Sequence, residues 1–124
     1  MARILVAEDE QQVRTLVARA LAEAGHDVTT AGDGAEALDL LQTEAGRFDL
    51  LLTDIKMPVM DGLALALAVA RDFPAIPILL MTGYADQRER ASGLESLIHG
   101  IVTKPFSVAD IQAAVTAALA DGKR

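Results

Sequence analysis

Acidic residues end two apolar stretches of this chain. Glu8 and Asp9 follow the stretch at residues 3–7, and Asp54 follows the stretch at residues 48–53. Short apolar runs of this kind are typical of buried strands. Because a carboxylate is costly to remove from water, three carboxylates at the ends of buried strands indicate a shared cation.

Two further apolar stretches end in polar residues. Residues 78–81 lead to Thr82, and residues 101–103 lead to Lys104. Parallel strands joined by right-handed crossovers carry their carboxyl ends on one edge of the sheet, where ligands bind. If the four stretches are parallel strands, their carboxylates, hydroxyl and ammonium group can meet at that edge.

The composition limits the kinds of protein that this chain can be. Its 124 residues are enough for one hydrophobic core and too few for a second folded module, so we expect a single domain. The chain is 52% hydrophobic and 23% charged, and no apolar run approaches the roughly 20 residues that a membrane span needs. The first strand begins almost at once and leaves no room for a signal peptide, so we expect a cytoplasmic protein.

Residue counts also exclude several kinds of site. The chain has no cysteine, which excludes disulfides and thiolate chemistry, and His26 and His99 are too isolated to form a recognisable metal motif. The formal net charge is −7, which disfavours binding to a phosphate backbone. We therefore expect neither nucleic acid nor a membrane as a direct partner.

Short apolar stretches alternate with amphipathic stretches five times, as in an α/β domain with a mainly parallel sheet. Two capping pairs, Asp33 with Glu36 and Ser107 with Asp110, predict where the second and last helices begin. The predicted strands lie at residues 3–7, 26–31, 48–53, 76–81 and 101–103, and the predicted helices at about residues 10–24, 33–46, 63–71, 86–97 and 107–120. The first helix is predicted to bury Val13, Leu16, Val17, Ala20, Leu21 and Ala24.

Further short motifs accompany the polar residues. The full set is Glu8-Asp9, Asp54, Met57-Pro58, Met60-Asp61-Gly62, Thr82-Gly83 and Lys104-Pro105-Phe106. The spacings are 45 residues from Asp9 to Asp54, 28 from there to Thr82 and 22 from there to Lys104. Each motif alone has an ordinary reading as a cap, a turn or a packing residue, but the ordered set resembles the receiver domain of two-component response regulators, in the CheY-like superfamily.

The resemblance covers essentially the whole chain and implies a fold. Receivers are doubly wound (βα)5 flavodoxin-like three-layer sandwiches with a parallel sheet of strand order 2-1-3-4-5. This strand order is taken from the resemblance and not from the residues. Residues 1–124 would then be a receiver of the single-domain type, with its core at about residues 3–120.

The resemblance also implies roles for the polar residues. Asp54 would be the phosphoacceptor, since a carboxylate can attack a phosphoryl group to form an acyl phosphate. Glu8, Asp9 and Asp54 would bind Mg²⁺, together with the backbone carbonyl of Lys56. Lys104 would offset the charge of the phosphoryl group.

Other positions are implied to assist or to modulate this chemistry. Thr82 would donate its hydroxyl to a phosphoryl oxygen, and the Lys104-Pro105 bond is cis in the family, which would aim the ammonium into the site. Many receivers carry an aromatic residue where this chain has Ile101, so a switch based on an aromatic rotamer is in doubt. Tyr84 and Lys56 are expected to tune the lifetime of the phosphoryl group.

Other functions are compatible with part of the pattern. Haloacid-dehalogenase-type phosphatases also use a strand-end aspartate, but they need a second aspartate where this chain has Lys56, so we do not expect an enzyme beyond self-phosphorylation and dephosphorylation. A flavodoxin-like carrier is disfavoured because only 3% of residues are aromatic. A phosphorylation-independent interaction module, or a receiver cut from a hybrid histidine kinase, stays open.

The resemblance implies protein partners. A histidine kinase or a histidine phosphotransfer protein would donate the phosphoryl group. An unidentified downstream protein would bind the face formed by the predicted fourth helix, the fifth strand and the last helix. The chain is expected to be a monomer or a dimer linked to phosphorylation.

Overall fold

The computed structural model describes residues 2–83, 91 and 93–122. Five parallel strands form one sheet in the order β2-β1-β3-β4-β5, which confirms the order 2-1-3-4-5. The strands are β1 (Arg3–Ala7), β2 (Asp27–Ala31), β3 (Leu50–Asp54), β4 (Ile78–Thr82) and β5 (Gly100–Thr103). The helices described are α1 (Gln11–Glu23), α2 (Gly34–Thr43), α3 (Gly62–Asp72) and α4 (Val108–Gly122).

The sheet is buried on both faces, which is why its central strands are continuously apolar. Successive residues of a strand point to opposite faces, so Leu51 packs under α2 and α3, whereas Leu50 and Leu52 pack under α1 and α4. All three leucines are fully buried, and each stabilises the fold by roughly 2 kcal/mol. These two apolar layers confirm the three-layer architecture.

Side-chain caps fix where three helices begin. The Asp33 carboxylate accepts a hydrogen bond from the Glu36 amide at 2.8 Å. Ser107 and Asp110 exchange two hydrogen bonds of 3.0 Å between their side chains and amides. Both predicted capping pairs are therefore confirmed. Asp61 caps α3 in the same way, a role that its motif alone did not indicate.

Two predictions about the first helix are wrong. Leu16 is 48% exposed and Ala24 is also exposed. The buried stripe of α1 is centred on Val17, Ala20 and Leu21, and Leu16 lies about 100° around the helix axis from Val17. Ala24 is the residue at which the helix ends, so it lies beyond the packed turns.

Several predicted boundaries also need correction. β3 begins at Leu50 and includes Asp54, and β4 includes Thr82, because both polar residues still pair with neighbouring strands. Residues 93–97 form turns, whereas the sequence predicted a helix through residue 97. Half of that predicted helix, residues 86–90 and 92, lies outside the described residues. Across the described ranges, no helix is long and apolar enough to span a bilayer.

Candidate functional site

The carboxyl edge of the sheet gathers the predicted polar residues. One carboxylate oxygen from each of Glu8, Asp9 and Asp54 lies within 4.8 Å of the others. Glu8 follows β1 directly, and Asp54 ends the neighbouring strand β3, so the convergence comes from strand order. Lys104 enters from the far side, after β5, and completes the cluster.

Glu8 is fully buried, and its polar groups all have partners. Its carboxylate accepts hydrogen bonds from Lys104 Nζ at 2.9 Å and from the Glu10 amide at 3.2 Å. Its amide donates to the Ala31 carbonyl at 3.0 Å, and its carbonyl accepts from Arg14 Nη1 at 2.8 Å. A buried charged residue is tolerated only with such partners. The turn after β1 is therefore held from four directions.

Asp54 is only 5% exposed, and each of its carboxylate oxygens has a donor. Oδ1 accepts from the Ile55 amide at 2.8 Å, and Oδ2 accepts from Lys104 Nζ at 3.0 Å. These two bonds fix the carboxylate orientation. The side chain nevertheless borders an open cavity, so a small reactant can reach it.

Lys104 is placed by the backbone next to it as well as by its ion pairs. Its amide donates to the Thr82 carbonyl at 2.7 Å, which joins the residue after β5 to the end of β4. The Lys104-Pro105 bond is cis, as the resemblance implied. Burial opposes the charge on the ammonium group, but hydrogen bonds to Glu8 and Asp54 outweigh burial and raise the pKa of Lys104. The side chain therefore stays positively charged.

The Glu8 carboxyl has a pKa well above the ordinary value for a glutamate. Burial raises the pKa of Glu8 to about 7, and the nearby charge of Asp54 adds to this shift, whereas the hydrogen bond from Lys104 reduces it. Lys104 contacts two of the three carboxylates, Glu8 and Asp54, and Asp9 adds a third carboxylate close to them. The cluster lacks positive charge, and hard oxygen ligands around such a deficit suit Mg²⁺.

A cavity of about 440 Å³ opens over the cluster. Its lining residues are Asp9, Glu10, Asp54, Lys56, Gly83, Lys104 and Pro105. Lys56 and Asp9 are exposed at its mouth, whereas Asp54 lies at its floor. The cavity can admit a phosphoryl-sized group together with a hydrated cation.

The remaining predicted positions lie around the cavity or outside the described residues. Thr82 is fully buried at the end of β4. Ile101 is half-buried, pairs with Leu80 and packs on the apolar layer under α2 and α3. Tyr84 lies outside the described residues. Sequence reasoning missed Arg14, whose contact with Glu8 depends on the path of the turn after β1.

The raised pKa of Glu8 predicts how stability depends on pH when no metal is bound. The folded state holds the Glu8 proton more tightly than the unfolded chain does, so this contribution is complete below about pH 4.5 and is lost as pH rises through about 7. Glu8→Gln keeps a neutral side chain at every pH. In the presence of a chelator at pH 8, the free energy of unfolding of Glu8→Gln should exceed that of the parent by roughly 2–3 kcal/mol.

Urea unfolding at pH 5 and pH 8 measures this difference. Glu23→Gln is the matched control, because Glu23 is exposed on α1 and the substitution removes a carboxylate outside the buried cluster. A Glu8→Gln protein that is less stable than the parent at pH 8 contradicts the account of burial.

Sequence comparison with known proteins adds independent support for the resemblance to receiver domains. A family profile described as response regulator receiver domain matches residues 4–116. The response regulator receiver protein CpdR of Brucella abortus is 39% identical over 111 residues, which cover 90% of this chain and 91% of that protein. The alkaline phosphatase synthesis transcriptional regulatory protein PhoP of Bacillus subtilis is 36% identical over 117 residues, or 94% of this chain.

Comparison with solved structures also finds response regulators. The chemotaxis response regulator CheY4 of Vibrio cholerae superimposes with a TM-score of 0.83 at 30% identity, covering 95% of this chain and 98% of that one. The chain spans only 48% of the length of PhoP and 24% of the DNA-binding transcriptional regulator NtrC of Escherichia coli. The similarity to those longer regulators therefore concerns one part of each.

Proposed function

This chain belongs to the response regulator receiver domain family, and on that premise we propose that it is a phosphorylation-dependent switch with Asp54 as the phosphoacceptor. The observation that carries this proposal is the Lys104 ammonium, which bridges Glu8 and Asp54 at the floor of an open cavity. Residues 1–124 act as one receiver domain in this proposal. A receiver is not a conventional enzyme, because it is itself the molecule that is modified.

The proposed reaction is transfer of a phosphoryl group from a phosphohistidine. A carboxylate oxygen of Asp54 attacks phosphorus, and the new O–P bond forms as the P–N bond breaks. The electron pair of the P–N bond stays on the imidazole, which takes up a proton. The donor is a histidine kinase or a histidine phosphotransfer protein.

Two side chains stabilise the charge that accumulates at the phosphoryl group. Lys104 already contacts Asp54, so its ammonium stands beside the oxygen atoms that become negative. Thr82 ends the strand next to β3, where its hydroxyl can donate to a phosphoryl oxygen.

The acidic cluster fits a divalent cation. Glu8, Asp9 and Asp54 offer oxygen atoms within 4.8 Å of one another, and the Lys56 carbonyl follows two residues after the acceptor. Bound Mg²⁺ would neutralise negative charge on the phosphoryl oxygens. In this proposal, the chain's own contribution is to hold three carboxylates together despite their repulsion.

The output of the switch is a changed surface. Thr82 and the Lys104 backbone are joined by a 2.7 Å hydrogen bond, so movement of Thr82 toward a phosphoryl group would pull on the end of β5. We propose that this alters the surface at β5 and α4, and so controls a downstream protein. Ile101 takes part through packing and not as an aromatic rotamer switch.

Lys56 and Tyr84 are proposed to set the phosphoryl lifetime. Lys56 is exposed at the mouth of the cavity, where its side chain can affect the access of water to the acyl phosphate. Tyr84 follows Thr82 by two residues in the sequence. A Tyr84→Ala protein whose dephosphorylation rate equals the parent's would remove Tyr84 from this proposal.

Amide NMR spectra test the switch. We expect acetyl phosphate with Mg²⁺ to shift the amide signals of Thr82, Gly83 and β5, and we expect no such shift for Asp54→Asn. Shifts confined to residues near Asp54 would contradict the transmission of a signal. A protein that folds but is never phosphorylated would favour a phosphorylation-independent interaction module.

A further inference from the structure

Arg14 contacts the acidic turn but does not line the cavity. The residue lies in the second turn of α1, and its Nη1 donates to the Glu8 carbonyl at 2.8 Å. Its own amide donates to the Glu10 carbonyl at 2.9 Å. Arg14 therefore spans the turn that carries two of the three acidic residues.

The carbonyl that Arg14 holds has a particular place in the chain. It belongs to the peptide bond between Glu8 and Asp9, so its direction fixes the plane from which the Asp9 side chain departs. Glu8 is fully buried and is also held by Lys104, whereas Asp9 is exposed. The position of the Asp9 carboxylate therefore depends in part on the backbone that Arg14 helps to hold.

The Arg14 guanidinium also approaches a second turn. It lies beside the turn after β2, where a Cβ atom built on Gly32 would be 3.6 Å from Arg14 Nη1 and 3.5 Å from Glu36 Oε2. Glu36 is itself engaged, because its carboxylate accepts from the Gly32 amide at 3.0 Å. The Arg14 guanidinium, whose planar group has a fixed direction of donation, therefore lies between the turn after β1 and the turn after β2.

We infer that Arg14 is a positioning residue for the cation site: it orients the Glu8-Asp9 peptide so that the Asp9 carboxylate stays close to Glu8 and Asp54. This inference rests on the proposed Mg²⁺ function of the acidic cluster. Groups that orient metal ligands from behind commonly affect metal affinity by one to two orders of magnitude. Arg14 acts on the cation through Asp9 and does not itself touch the reacting atoms.

Arg14→Met tests the inference, because methionine keeps an unbranched side chain but has no side-chain hydrogen-bond donor. Titration calorimetry with Mg²⁺ alone should give a dissociation constant about tenfold weaker than the parent's. Amide spectra of the metal-free protein should show shifted Asp9 and Glu10 signals. Arg14→Lys, which restores a donor without the planar group, should recover part of the affinity.

The matched control is Arg19→Met, since Arg19 is exposed five residues further along the same helix. It should bind Mg²⁺ as the parent does. Urea unfolding of each variant separates stability from affinity. If Arg14→Met lowers stability but binds Mg²⁺ as tightly as the parent, Arg14 is only structural and the inference is overturned. A parent that binds no Mg²⁺ overturns the proposed cation site and this inference with it.

Discussion

Gly62→Ala should lower the free energy of unfolding by about 3 kcal/mol or more. A Cβ atom at this position would lie 1.8 Å from the Asp54 carbonyl oxygen and 2.9 Å from the Ile55 Cα. Both are backbone atoms, so no side-chain rotation relieves the overlap. Alanine gains about 1 kcal/mol of helix propensity over glycine, which is too little to reverse the result.

The same substitution should disturb the candidate site, because the displaced carbonyl belongs to the proposed phosphoacceptor. Gly62 also donates its amide to the Ile55 carbonyl at 2.7 Å, so the start of α3 is joined to the end of β3. Urea unfolding followed by circular dichroism measures the loss. Gly100→Ala is the control, because its Cβ would meet only Leu79 Cδ2 at 3.7 Å. Equal stability of the two variants contradicts the close approach.

Lys104→Met should reduce the rate of phosphorylation by about 100-fold or more. Its ammonium contacts both Glu8 and Asp54, and no other cation is bound to these carboxylates in the part of the chain that the structure describes. Without it, a phosphoryl group would approach three carboxylates with one compensating charge fewer. Lys104→Met should therefore raise the free energy of the transition state, in which negative charge on the transferred oxygens must be stabilised.

The time course of mass gain with acetyl phosphate and saturating Mg²⁺ measures this rate. Arg47 is exposed just before β3, at the opposite edge of the sheet from Asp54, so Arg47→Met removes a positive charge far from the site. The rate should stay within about threefold of the parent's, because solvent screens exposed charges that are more than a Debye length apart. Folding of each variant is checked by circular dichroism. A Lys104→Met protein that is phosphorylated as fast as the parent removes Lys104 from the proposed mechanism.

The fold was largely predictable because its signals are local. Apolar stretches such as residues 3–7 gave the strands, and the capping pairs at Asp33 and Ser107 gave two helix starts. The placement of Glu8, Asp54 and Lys104 on one edge of the sheet then followed from the geometry of parallel strands, whereas the strand order that makes β1 and β3 neighbours came from the resemblance to receivers. Strand ends were less predictable, because Asp54 and Thr82 are polar yet still pair within the sheet.

Contacts that depend on turn conformation were not predictable. Arg14 looks like any polar helix residue in the sequence, and only the path of the turn brings it to the Glu8 carbonyl. Val59 is a second case: it has a φ of 68° and is 85% exposed. The Met60 amide donates to the Pro58 carbonyl at 2.8 Å across it, which makes a γ-turn. A β-branched residue gives no sequence signal for such a turn.

The most direct test of the central claim is the intact mass of the protein after incubation with acetyl phosphate, with and without Mg²⁺, for the parent and for Asp54→Asn. The account predicts a gain of one phosphoryl group that requires Mg²⁺, is removed by hydroxylamine and is absent from the variant. A phosphoryl group that Asp54→Asn still acquires, or a folded parent that gains none from an active donor, would contradict the assignment of Asp54 as the phosphoacceptor.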